Sequence, residues 1–549
     1  MRLIYKLGST VACSLAFGLA GCQPQREAVD LLVTNATVYT VDSTFSQAQA
    51  FAVRDGHFVA VGSAADLQSR YQPAQTVDAR GQFIYPGFYD AHCHFYRYAL
   101  GLRSANLVGA GSWAETVGRL TAHRRQQPTA TWLTGRGWDQ NDWPGQRYPT
   151  KDTLDRLFPN VPVLITRVDG HAALVNQKAL DLAGVTAATP ISGGIIGRDA
   201  HGRLTGLLVD NAVKLVAAKI PEPRPAEADA ALLQGQQNCL AVGLTSLADA
   251  GLNKEDIDRM AALQKAGRLH LRLYAMLNPT PENKAYYLPK GPFFSDNLTI
   301  SSFKVYADGA LGSRGAALLA PYTDRPHETG FLLQHPEYYR NLAKELAATR
   351  FQMNTHAIGD SSNRLLLDIY GAALAGQKDR RWRIEHAQVV SPRDVPKFGQ
   401  YHIVPSVQPT HATSDMYWAG ERLGAQRLKT AYVYQDLLKQ YGQVALGSDF
   451  PVEDINPLYG FHAAVARQDA RNFPAGGFQM ENALTRQQAL RGMTAWAAHA
   501  AFEDRRKGQI KPGMLADFVV LATDLLTAPN EKLHDLKVQQ TWIGGKRVF

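Results

Sequence analysis

Cysteine is scarce in this sequence, with four in 549 residues. No apolar run is long enough to cross a bilayer comfortably as a permanent helix. There is no long basic run, no glycine-rich phosphate cradle of the P-loop kind and no G-x-S-x-G elbow. Each absence excludes something. So few thiols argue against a disulfide framework. Without a basic run the net charge of +9 fits solubility or attraction to an anionic surface, not a nucleic-acid groove. Without the elbow, a serine nucleophile would have to be chosen arbitrarily. Neither a repeat at a solenoid period nor an internal low-complexity tract is present. What is there, 45% hydrophobic and 19% charged, suffices for a sizeable core.

The start of the chain is set apart from the rest. In "MRLIYKLGSTVACSLAFGLAGCQPQ", Arg2 and Lys6 precede a short apolar run and small residues before Cys22, the pattern of a secretory signal. "LAGC" resembles a bacterial lipobox, in which cleavage leaves the cysteine lipidated. The expectation is a signal over residues 1–21, an acylated Cys22 held by hydrocarbon burial, and a polar tether over 22–29. The protein would then lie in a bacterial cell envelope, periplasmic or outer-membrane associated. Losing Arg2 and Lys6 lowers +9 to +7. Only Cys93 and Cys239 would stay as thiols.

Residues 30–84 alternate apolar positions with Asn, Asp and Gly, which suggests hairpins. Residues 505–549 answer with "KPGMLADFVVLATD" and "VQQTWIGGKRVF". The two ends are expected to build one small β-sandwich domain. Between them, residues 85–504 alternate strand-like and helical stretches, an α/β pattern with parallel strands. Strands are expected at 85–94, 244–251, 271–277, 300–309, 351–360, 380–388, 401–411 and 443–452. Eight such strands are what a (β/α)8 TIM-like barrel requires. "TWLTGRGWD" and "VPVLITRVDGH" are also strand-like and are assigned to an insertion at about 100–235.

Active-site groups of a parallel barrel sit at the C-terminal ends of its strands. Those ends carry His92, His94, Lys304, His356, His386 and Asp449. His92 and His94 are two residues apart, so a strand presents both on one face. Each residue has a plainer reading: a buried histidine satisfied by a carbonyl, a lysine paired with a carboxylate, an aspartate acting as a cap. Six separate explanations at six matched strand ends are less economical than one shared metal site.

The set "DAHCH", Lys304, His356, His386 and "GSD" resembles the metal-dependent amidohydrolase superfamily. "GWDQNDWP", "YADGALGSRGAAL", "HAIGDSSNR", "RIEHAQ" and "GSDFPVEDINPL" are most similar to the branch containing N-substituted formamide deformylases. The resemblance implies that His92, His94 and Asp449 hold one cation, that His356 and His386 hold a second, and that Lys304 bridges them once carbamylated. A carbamate is a carboxylate-like ligand, whereas an ammonium has no lone pair. Two zinc ions fit best, although one cation, or manganese, iron or cobalt, would also suit the ligands.

The implied chemistry is hydrolysis of a non-peptide carbon–nitrogen bond in a small-molecule amide, through a metal-activated water with Asp449 as proton carrier. Trp138, Asp139, His171, Arg314 and Gln408 are candidate substrate contacts. The same site could open a lactone or phosphoester, or the barrel could serve a non-catalytic envelope binding protein. The oligomeric state stays open, a homodimer included.

Overall fold

Eight parallel strands occupy the middle of the chain: β1 (Phe88–Cys93), β2 (Leu244–Leu252), β3 (Arg272–Leu277), β4 (Leu298–Tyr306), β5 (Gln352–Ala357), β6 (Arg383–His386), β7 (Val404–Val407) and β8 (Ala445–Leu446). The computed structural model describes residues 26–549, so the leader and the lipid attachment expected at Cys22 lie outside the described residues. Neighbours in the order β1 to β8 pair in parallel, giving the TIM-like barrel. Helices such as Lys254–Lys265 return between the strands. That helix starts in a capping box of Asn253 and Asp256 and buries Ile257, Met260 and Leu263.

The seam between β8 and β1 is closed without a ladder. The backbone N–H of Asp449 donates to the His92 carbonyl at 2.7 Å, and that of His94 donates to Phe450 at 2.8 Å. Below them, buried Asp90 accepts from the Ser448 hydroxyl at 2.5 Å and from the Ser448 and His92 N–H groups at 3.0 and 3.1 Å. These bonds tie both strand ends that carry candidate ligands into one rigid unit.

Two further sheets pack together, and the second is built from both ends of the chain. One has strand order His57–Gly62, Ala50–Arg54, Glu27–Thr34, Tyr71–Asp78. In the other, Phe518–Leu521 runs antiparallel to both Phe83–Pro86 and Val538–Ile543. Apolar residues fill the space between the sheets, with Phe518 stacked on Trp542 at 5.2 Å and Phe51 edge-on to Phe518 at 4.9 Å. Ala50–Arg54 and His57–Gly62 form a hairpin over Asp55–Gly56, both with positive φ, as a two-residue turn requires. The first strand departs from the hairpin expectation, since it pairs in parallel with Tyr71–Asp78.

The strand expected at 85–94 is two strands. It breaks at Gly87, where a Cβ would meet the Thr245 hydroxyl at 2.2 Å, and the residues before it join the second sheet. The seventh and eighth strands are shorter than expected: Pro409 opens a helix (Pro409–Asp415), and Asp449 takes a positive φ of 62°. The insertion forms its own sheet, in the order Gly194–Arg198, Leu204–Asp210, Ala172–Val175, Val163–Arg167, Leu133–Trp138, Ala105–Asn106. Among the described residues no helix is long and apolar enough to cross a membrane. Cys93 and Cys239 are free and buried.

Candidate metal centre

His92, His94, Lys304, His356, His386 and Asp449 come together at one end of the barrel. Ligand atoms of His92, His94 and Asp449 all lie within 4.8 Å of one another. Asp449 Oδ1 is 3.3 Å from His94 Nε2 and 3.6 Å from His92 Nε2. Lys304 Nζ is 2.9 Å from His92 Nε2. The His386 ring lies 5.0 Å from that of His92 and 4.6 Å from that of His356.

Neighbouring groups fix which nitrogens face inward. His92 Nδ1 meets Glu385 at 2.5 Å, His94 Nδ1 meets the Ala250 carbonyl at 2.9 Å, and His386 Nδ1 meets Gln408 Oε1 at 2.7 Å. An imidazole that donates through Nδ1 keeps its lone pair on Nε2, which is how metal-binding histidines are oriented. Glu385 is itself held at 2.6 Å by Arg383. Burial pushes the Glu385 carboxyl up, but Arg383 and His92 outweigh it and hold it well below the usual range.

The donor set fits a cation. Asp449 Oδ1 is buried without a hydrogen-bond donor among the described residues. Burial raises its carboxyl, but the contact with His94 and the facing His92 and His386 rings more than reverse this and hold it well below the usual range. Burial draws His94 down to about 4 and His356 and His386 well below their usual value, so all three are neutral ligands at pH 7. Burial also pulls Lys304 down to about 8. No carboxylate lies within ion-pairing distance of Lys304 among the described residues, so the plainer pairing does not account for it. Backbone strain concentrates at the same place: His386 and Asp449 have φ of 73° and 62°, a region non-glycine residues seldom occupy.

The cavity over these groups, about 280 Å³, is lined by His171, Asp139, Leu311, His411, Trp418 and Glu453 among others. His171 lines it with Nδ1 held by Asp210 at 2.6 Å. Asp139 lines it too, paired with buried Arg167. Three expected contacts lie elsewhere. Trp138 is fully buried, its indole N–H donating to the Ile165 carbonyl at 3.0 Å, because it packs the insertion sheet. Arg314 turns to Asp324 at 2.6 Å in a structural ion pair. Gln408 is buried behind His386 and orients that ring instead of reaching the substrate space.

Sequence reading missed Glu385, Asp90 and His411. Glu385 had a signal: Arg383 and Glu385 alternate in an apolar strand, which places opposite charges on the inner face of the barrel. His411 stacks on His386 at 5.8 Å, with its unpartnered Nε2 3.8 Å from Asp449 Oδ2. Its place depends on the helix begun by Pro409.

Comparisons with known proteins agree with this architecture. A family profile described as the amidohydrolase family matches residues 75–549. Protein LONG AFTER FAR-RED 3 of Arabidopsis thaliana is 34% identical over 542 residues, covering 95% of this chain and 91% of the plant protein. N-substituted formamide deformylase of Arthrobacter pascens is 27% identical over 551 residues, covering 94% of this chain and 97% of its own. The crystal structure of an uncharacterized metal-dependent hydrolase from Pyrococcus horikoshii superimposes with a TM-score of 0.73 at 25% identity, over 91% of this chain and 99% of that one. With a family match over most of its length and a metal-dependent hydrolase of the same shape, this chain belongs to the amidohydrolase family as a metal-dependent hydrolase.

Proposed function

We propose that the protein hydrolyses a carbon–nitrogen bond in a small non-peptide amide of formamide-like type. The carrying observation is Asp449: an ionised, buried carboxylate whose Oδ1 has no donor among the described residues and lies between two oriented imidazoles. Supporting the bond class is the likeness to N-substituted formamide deformylase of Arthrobacter pascens. His92, His94 and Asp449 would hold one divalent cation, zinc fitting the imidazole and oxygen donors, with His356 and His386 holding a second. When bound, such cations supply an acidified water and polarise a carbonyl oxygen.

The chain's own residues do the rest. Burial lowers Lys304 to about 8, so it gives up its proton more readily than a free lysine. The neutral amine adds to carbon dioxide: an N–C bond forms as one C=O π bond opens, and the amine proton passes to solvent. The anionic carbamate would serve as a carboxylate-like ligand for the cations. Asp449 accepts the proton of the attacking water and returns it to the departing nitrogen. Burial pulls the His171 imidazole down, but Asp210 and Asp169 outweigh it and raise it. The ring in its doubly protonated form, held through Nδ1 by Asp210, presents an Nε2–H to the substrate oxygen. Cys22 acylation and envelope attachment belong to the same proposal. Palmitate labelling of the full chain checks them, with loss of label in Cys22→Ala expected.

The test of activity is direct. The zinc-reconstituted protein is assayed on formamides, N-acyl amino acids, cyclic imides and lactones. Formate or acyl release from amides, abolished in Asp449→Asn, supports the proposal. Turnover of lactones alone, or undiminished amide turnover in the variant, contradicts it.

A further inference from the structure

A second lobe of about 160 Å³ lies on the Lys304 side of the same centre. Besides Lys304 itself, three cationic side chains line it: Arg97, Arg136 and Lys214. Among the described residues none of the three has a carboxylate within 4 Å. Arg136 spends Nη2 on the Val168 carbonyl at 2.9 Å and leaves buried Nε without an acceptor. Lys214 reaches only the Asn211 amide oxygen, at 2.8 Å. Tyr306 adds a buried hydroxyl with no partner.

Cations that lack a directly paired carboxylate raise the local positive potential, and that cost falls when an anion arrives. The carboxylates in this lobe are largely committed. Asp169 pairs with Arg167 at 2.5 Å, Asp210 with His171 at 2.6 Å, and Asp449 belongs to the metal centre. The other lobe has the opposite character: Asp142, Asp415 and Glu453 line it beside Leu311 and Trp418, and its one arginine, Arg167, is already paired. A substrate spanning both lobes therefore meets positive charge on one side of the scissile bond only. Asp169 and Asp210 stand close enough to disfavour a dianion, and a planar guanidinium matches a carboxylate through paired hydrogen bonds.

We propose that this lobe binds a carboxylate of the substrate, so that the amide cleaved is an anionic one and not a neutral formamide. The inference rests on the hydrolase reading but is tested apart from it. Calorimetry on the zinc-reconstituted full chain compares N-formyl amino acids with their methyl esters. The acids bind about tenfold tighter or more, the effect of one or two charge-assisted hydrogen bonds. Arg136→Gln brings the ratio towards one while leaving ester affinity unchanged, and Arg136→Lys restores part of it. Lys214→Gln, at an exposed position, lowers the ratio in the same direction should Arg136→Gln fail to fold. Equal binding of acid and ester overturns the inference, as does failure of any acid to bind. A ratio untouched by both glutamine variants also overturns it, since the metal centre would then hold the carboxylate. Formate release is read separately: equal turnover of acids and esters keeps the hydrolase and rejects the lobe, whereas tight acid binding without turnover does the reverse.

Discussion

The two ends of the barrel both bury ionisable side chains, and they treat them differently. At the lower end Glu503 is fully buried and fully met: Thr299 donates at 2.6 Å, Tyr89 and Lys507 at 2.8 Å. At the upper end, among the described residues, Asp449 Oδ1 has no donor and the Lys304 ammonium meets an imidazole nitrogen and no carboxylate. Burying charge costs several kcal/mol unless hydrogen bonds and a counter-charge return it. The lower end recovers that cost from within the chain. The upper end is completed by something from outside, which is what marks it as the working end.

The largest effect should come from Asp449→Asn. Amide turnover is expected to fall by about 10³-fold or more, in the range of a lost proton carrier, while the melting temperature of the metal-free protein holds or rises. A matching loss of stability would mean that Asp449 belongs with Glu503. Next is Glu503→Ala, which strands Lys507 and should cost about 3–5 kcal/mol in urea unfolding, with metal content per chain unchanged. Reduced metal content in a folded Glu503→Ala protein would blur the distinction between the ends.

A smaller change is expected from Gln408→Met, which frees the His386 ring. Metal affinity measured by chelator competition should drop about 10–100-fold, the usual range for an orienting partner. The smallest concerns pH. Burial raises the Asp504 carboxyl, but His499 and Arg381 prevail and hold it at about 2. Because this carboxyl lies below its unfolded value, its stabilisation is present above about pH 4 and lost as pH falls through about 2. Asp504→Asn should therefore flatten the acid limb of a stability–pH curve without altering turnover at neutral pH.

Much of the upper end was legible in the chain because strand ends in a parallel barrel are periodic landmarks. His92 and His94 share a face by simple alternation, and Lys304, His356, His386 and Asp449 each lie towards the C-terminal end of a strand-like run. What depended on contacts between distant segments was not legible. Glu385 matters through a ring 293 residues away in sequence. Trp138 reads as a substrate contact until the insertion sheet buries it. The split at Gly87 follows from the close approach of Thr245, which no local pattern announces. Arg136 and Lys214 come from separate stretches of the insertion and meet Lys304 and His356 of the barrel in one cavity, again without a local pattern to announce it.

The most direct measurement is anomalous diffraction at the zinc edge from crystals of the zinc-reconstituted protein. The account predicts a peak enclosed by His92, His94 and Asp449, with density for a carbamate extending from Lys304 towards His356 and His386. No peak at that position, or an unmodified Lys304 turned away from a bound ion, would contradict it.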